Sequence, residues 1–366
     1  MNRITGYLLS LILLTLPRCI NAEPAPIKIG VLLTLTGSMS NWGQSARDGL
    51  ILAQDSINSA STTQNGPRVQ LVFEDYGDFD LKRAVSAAHK LIDVDKVRFI
   101  LSYLTEDTEV VWNIAARSKV PVIAMAAGAA DITTARPNVF RMSPSDIDLM
   151  TVASRFVSSQ GRTNICIVNH QIAYFESMSS FLEHEWSVAS SPPTLRIDLR
   201  PADKDFRGII GKLKAHRCDT LFALVLPDSM GTLLQQMHAA NLSPLIVGPP
   251  GVANSAILSL PTTLTDGVVF ARFEDPSADF TQRFYSRFGH PPGITADYGY
   301  DALMVLHFVI SRFGSSTEDV TRGLLQVNGY QGASGTIDIK ADRTRTSRGV
   351  QMWEIRSGKA IVARAP

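Results

Sequence analysis

The feature that most limits what this chain can fold into is an alternation. Short runs rich in Val, Ile and Leu are separated, almost without interruption, by stretches with helical apolar spacing. The runs at 27–33 (IKIGVLL), 69–73, 97–101 and 120–124 read as strands, with helical patterns at 44–58, 81–94 and 108–118 between them. Strands joined by helices of this length require crossovers, which are right-handed and lay the strands parallel with helices on both faces. After 139–144 (VFRMSP) a second series opens: helix 146–159, strand 164–169, helix 174–187, strand 194–199, helix 204–216, strand 220–226, helix 228–241 and strand 245–248. From Gly267 the pattern changes to a short strand (GVVFAR), helical stretches at 276–288, 295–313 and 316–327, and the extended segments GTIDIK and VQMWEIRSGKAIV. No repeat with a period of tens of residues is present, so the two series read as lobes rather than solenoid units. The expected fold class is α/β, with two doubly wound parallel-sheet lobes.

The segment in front of the first strand has a different character. Arg3 precedes the uncharged apolar run 7–16 (YLLSLILLTL), and Asn21-Ala22 ends it with small residues before Glu23. This is the layout of a secretory signal peptide spanning 1–22, and the apolar run is well short of the roughly 20 residues a bilayer span needs. Pro17-Arg18 before Cys19 is a poor lipoprotein pattern, so cleavage after Ala22 and a periplasmic mature chain are expected. Removing Arg3 and Arg18 with the leader leaves 33 basic against 34 acidic residues, a net charge of about −1. Nothing electrostatic recruits nucleic acid or an anionic membrane. A hydrophobic content of 45% and the length of the mature part suit about two domains.

Cys166 and Cys218 remain after cleavage, each in or beside a predicted strand. An oxidising compartment permits a disulfide, and two buried thiols are the alternative; spacing alone does not choose.

Catalytic signatures are missing. No Walker-type loop, no G-x-G-x-x-G after the first strand, no G-x-S-x-G elbow and no H-E-x-x-H occurs. His89, His170 and His238 are scattered without metal-ligand spacing, so neither metal nor cofactor is expected. Weight therefore moves from catalysis to binding. In open parallel sheets ligands sit beyond the carboxyl ends of the strands, where loops meet helix N-termini. The loops 36–42, 103–106 and 126–129 carry hydroxyls and free N–H groups there and form one rim in the first lobe.

Several segments carry a resemblance: GVLLTLTG, NWGQSARDGLILAQDSIN, FEDYGD, AVSAAHKLI, KVPVI and FRMSPSD, then YGYDAL and GASGTIDI. In this order they resemble the leucine/isoleucine/valine-binding family of type I periplasmic binding proteins, over essentially the whole mature chain. The resemblance implies two lobes joined by a three-crossover hinge that close over a small solute and deliver it to an ABC permease in the inner membrane. It places lobe 1 at 23–144 plus 267–344 and lobe 2 at 145–266 plus 349–366.

It also implies site residues. Trp42 falls at the family's aromatic contact, Thr105 at or beside its carboxylate-binding hydroxyl, Ala126, Ala127 and Gly128 at its Ala-Ala-Thr loop, and Tyr174 at the second lobe's tyrosine. Whether Thr105 or Glu106 takes the hydroxyl position stays open. The departures fall on the ammonium side: Pro250 stands in Gly248-Pro249-Pro250-Gly251 where the family has an acid, Val225 replaces a tyrosine, and Gly128 lacks the threonine hydroxyl. A buried ammonium without a counter-charge is costly, which favours an aromatic or aliphatic carboxylate over a standard branched-chain amino acid. Asp228 is the candidate for a displaced acid. A ligand sensor of the same fold, amide- or amino-acid-responsive, is the second functional reading, and a doubly wound enzyme the third.

Overall fold

The fold is taken from a computed structural model that describes residues 25–364 apart from Ser38, Asn65 and 189–192. The leader reading of 1–22, Cys19 included, lies outside the described residues. The first sheet has the order β2-β1-β3-β4-β5. Its strands are β1 (Ile27–Leu33), β2 (Val69–Asp75), β3 (Phe99–Ser102), β4 (Val122–Ala124) and β5 (Val139–Arg141), all paired in parallel. Helices α1 (Ser40–Gln64), α2 (Leu81–His89), which continues as a π-helical stretch Lys90–Val94, and α3 (Thr105–Arg117) make the crossovers. Because β1 lies between β2 and β3, the winding reverses there, and the loops leaving β1 and β3 open a crevice at the carboxyl end of the sheet.

Helix α4 (Asp146–Ser159) leads into the second sheet, whose order is β14-β13-β10-β9-β8-β6-β7. Its elements are β6 (Ile165–His170), α5 (Ala173–Val188), β7 (Leu195–Leu199), α6 (Arg207–Ala215), β8 (Thr220–Leu224), α7 (Pro227–Ala239), β9 (Leu245–Val247), two single-turn helices α8 (Ser255–Leu258) and α9 (Thr262–Thr265), and β10 (Val269–Phe273). The same reversal occurs at β6, which lies between β7 and β8. Side chains along these strands split by parity. Cys166, Val168, Leu221 and Ala223 enter one hydrophobic cluster, while Ile165, Ile167, Phe222 and Leu224 enter the cluster on the opposite face. Cys166 and Cys218 are joined by a disulfide, with Cα atoms 5.8 Å apart, across the β6–β8 neighbours.

The remaining elements are α10 (Ala278–Phe288), α11 (Ala296–Phe313), α12 (Thr317–Leu324), β11 (Tyr330–Gly332), β12 (Gly335–Ile337), β13 (Val350–Arg356) and β14 (Lys359–Val362). Phe280, Leu303 and Val320 carry the three helices onto the first lobe's core. Two sequence expectations are corrected here. Strand β10 pairs with β9 and β13, so it belongs to the second sheet, and the chain returns to the first lobe after Phe273 rather than at 267. The second sheet is also not wholly parallel, because β13 runs antiparallel to both β10 and β14. The connections between lobes are tied together. Arg345, 2% exposed, donates to the Met142 carbonyl at 3.3 Å and to the Ser334 hydroxyl at 2.6 Å, and the Arg141 N–H donates to the Arg343 carbonyl at 2.9 Å.

Candidate ligand-binding site

The two switch-point crevices face each other and enclose a cleft of about 540 Å³, within the usual range for small-molecule sites. The first turn of α1 presents Trp42. Its carbonyl accepts the Thr295 hydroxyl at 3.2 Å, and that hydroxyl lies 3.0 Å from the Tyr103 hydroxyl. Thr295 holds φ at +72°, a left-handed conformation that a β-branched residue adopts only when its surroundings impose it. From the other lobe Gly251 meets the Trp42 ring so closely that a Cβ there would lie 2.1 Å from ring carbon Cζ2. Phe79, another left-handed residue at φ +53°, leaves the first lobe to pack against a hydrophobic cluster of the second.

The sequence-predicted residues divide as follows. Trp42, Thr105, Glu106, Ala126, Gly128, Tyr174, Val225 and Pro250 line the cleft. Ala127 does not. It is fully buried in the first lobe's core instead. Thr105 and Glu106 both line it because they sit in the first turn of α3, which begins three residues earlier than the apolar spacing suggested. The Thr105 hydroxyl accepts the Ala129 N–H at 3.4 Å. Asp228 is no cleft acid: it pairs with Lys204 at 2.5 Å, outside the lining.

Apart from Glu106, the charged lining is the part that sequence reasoning missed. Asp146, in the first turn of α4, occupies the room a side chain at 128 would need: a Cβ on Gly128 would lie 1.9 Å from its Oδ2. The Tyr174 hydroxyl bonds to Asp146, and the Tyr174 N–H donates to Glu106 Oε1 at 3.1 Å, so one residue bridges both acids. Burial pushes Glu106 up to about 7, against the Tyr174 N–H, and Asp146 up to about 6, against the Tyr174 hydroxyl and nearby Arg141. Arg272 and Arg348 also line the cleft. Arg348 pairs with Asp297 at 2.7 Å; burial opposes its charge, but Asp297 and Tyr298 outweigh it and raise its pKa. Arg272 pairs with Asp275 and stacks 4.3 Å from the Trp353 ring; burial and then Arg348 hold its pKa below the ordinary value. Among the described residues no group of His, Cys, Asp and Glu could hold a metal, and no helix is long and apolar enough to cross a membrane.

The profile of the periplasmic binding protein family matches residues 26–360. The chain belongs to that family. A Leu/Ile/Val-binding protein of Rhizobium johnstonii is 24% identical over 93% of this chain and 94% of its own length. Among solved structures, a leucine-binding protein of Thermotoga maritima superposes with a TM-score of 0.83 at 21% identity, covering 92% of this chain and 98% of that one. A solute-binding protein of an ABC transporter from R. palustris, in complex with benzoate, gives a TM-score of 0.77 at 20% identity, covering 92% and 95%. The family and these neighbours are solute-binding proteins, not enzymes. The two-lobed α/β fold is that of the type I periplasmic binding proteins.

Within a periplasmic binding protein, Asp146 and Arg348 lie on segments that cross between lobes, and charged residues there were the available signal. Their chemistry shows only once the lobes bring α4 onto the 126–128 loop.

Proposed function

We propose that this chain is the extracytoplasmic solute-binding protein of an ABC importer, exported by its leader, and that it captures a small amino-acid-like solute between lobes 25–144 plus 274–346 and 145–273 plus 347–364. The observation that carries the reading is the cleft itself, with Trp42 and Thr105 on one side and Tyr174, Val225 and Pro250 on the other. Relatives described as binding leucine, isoleucine and valine, and one bound to benzoate, support a solute with an apolar or aromatic body. Closure is a hinge motion at the crossovers, driven by ligand contacts that exist only when the lobes meet. The closed form is what an inner-membrane permease would receive. Thr105 lines the cleft together with Glu106 and Asp146, and the two acids weigh toward an amino-acid-like solute over a carboxylate without an amino group.

A thermal-shift screen of amino acids, amines, and aromatic and aliphatic acids tests the reading. A solute that binds only the native state at 100 times its Kd stabilises by about 2.7 kcal/mol. At least one class is expected to raise the melting temperature; a flat response across the whole library contradicts the function.

A further inference from the structure

We infer that the cleft selects a cation: its solute carries an ammonium or related cationic nitrogen that lies at Glu106 and Asp146, with its apolar body against Trp42 and Tyr174. The inference rests on the solute-binding reading and narrows its solute class.

Five acids, Glu106, Asp146, Glu274, Asp275 and Asp297, face two bases, Arg272 and Arg348. Both bases are engaged, Arg348 with Asp297 and Arg272 with Asp275. Among the described residues Glu106, Asp146 and Glu274 have no ion-pair partner. Glu274 stands exposed, whereas Glu106 is only 7% exposed, and its hydrogen-bond partners are neutral backbone N–H groups, that of Tyr174 and its own. The guanidinium of Arg141 donates to the Ala129 carbonyl at 2.8 Å and supplies Asp146 with a nearby positive charge, so Glu106 is the buried acid without a counter-charge. A buried carboxylate lacking a counter-charge is costly, and an incoming cation removes that cost.

The shape of the rim agrees. A side chain at 128 is excluded by Asp146 Oδ2, so the rim offers a carboxylate oxygen where a hydroxyl would otherwise stand. The Thr105 hydroxyl, buried to 1% exposure, is turned to Ala129. An anion placed at this rim would meet two carboxyl groups, whose ionised forms repel it far more strongly in a low-dielectric site than in water. A cation meets those groups as partners and has aromatic faces beside them, Trp42 and Tyr174 among the lining, which attract a cation through the ring quadrupole. Pro250 therefore removes one acid from the second lobe without leaving the cleft short of acids.

Three probes with one aromatic body separate the charges: phenethylamine, 3-phenylpropionate and phenylalanine, titrated calorimetrically into the full mature chain. Phenethylamine is expected to bind at least ten-fold more tightly than 3-phenylpropionate. Glu106→Gln and Asp146→Asn, which keep acceptors for the Tyr174 N–H and hydroxyl, are expected each to cut amine affinity at least ten-fold while leaving 3-phenylpropionate unchanged or tighter. Melting temperatures of the ligand-free variants report that they fold. Tighter binding of 3-phenylpropionate, or amine affinity unchanged in both variants, overturns the inference. So does the absence of binding by all three probes when another solute class binds, which leaves the solute-binding reading standing. If no solute of any class binds, that reading falls with it.

Discussion

At the scale of single residues, Trp42 and Tyr174 each join contacts from both lobes. Trp42 rests on Gly251 across the cleft, and Tyr174 reaches back from α5 to Glu106 and Asp146. Trp42→Ala and Tyr174→Ala are each expected to weaken solute binding by more than ten-fold, about 1.4 kcal/mol, while the ligand-free protein stays folded. Calorimetric titration checks this, and unchanged affinity in both would move the site elsewhere. Trp42 was legible from the loop after the first strand and Tyr174 from the family resemblance, and both line the cleft. Glu106 and Asp146 were not legible as a pair. They are far apart in sequence, and only the meeting of α3, α4 and α5 brings them to one tyrosine.

At the scale of elements, local pattern located most strands and helices, and α4 was bounded at the observed residues. It failed where an element owes its state to distant partners. Strand β5 spans three residues, too few to show a period, and is a strand because it pairs with β4. Strand β10 was assigned to the wrong lobe because its antiparallel pairing with β13 spans a large sequence separation. The first turns of α1 and α3 were read as loop because polar cap residues carry no apolar spacing. The cysteines follow the same logic: spacing left them open, and β6–β8 adjacency joins them. That bridge closes a loop of 52 residues' separation, worth about 4 kcal/mol on the chain-entropy account. The double variant Cys166→Ala/Cys218→Ala is expected to lose stability of that order in urea unfolding, and an unchanged midpoint would contradict it.

At the scale of the whole molecule, burial of acids ties stability to pH. Glu106 and Asp107 are held up to about 7, and Asp146 and Asp301 up to about 6, in each case mainly by burial. A carboxyl whose folded pKa lies above its unfolded value binds a proton more tightly when folded, so its contribution is complete below about 4 and is lost as pH rises through 6–7. Buried His170, held down to about 4, works the other way. Comparison of wild type with Glu106→Gln isolates one acid. Relative to the variant, wild type is expected to lose melting temperature as pH rises from 4.5 to 7.5, and a constant or reversed difference would be wrong for a buried Glu106.

Gly251 is a position where a side chain would keep the two lobes apart. Since a Cβ there would stand 2.1 Å from the Trp42 ring, Gly251→Val acts as a wedge at the lobe contact. The decisive measurement is a calorimetric titration of wild type and Gly251→Val with the solute that stabilises the wild-type protein most. Capture between closing lobes predicts a loss of affinity of more than ten-fold, with the melting temperature of the ligand-free variant near that of wild type. Equal affinity in the two proteins would mean that the solute is not held between the lobes.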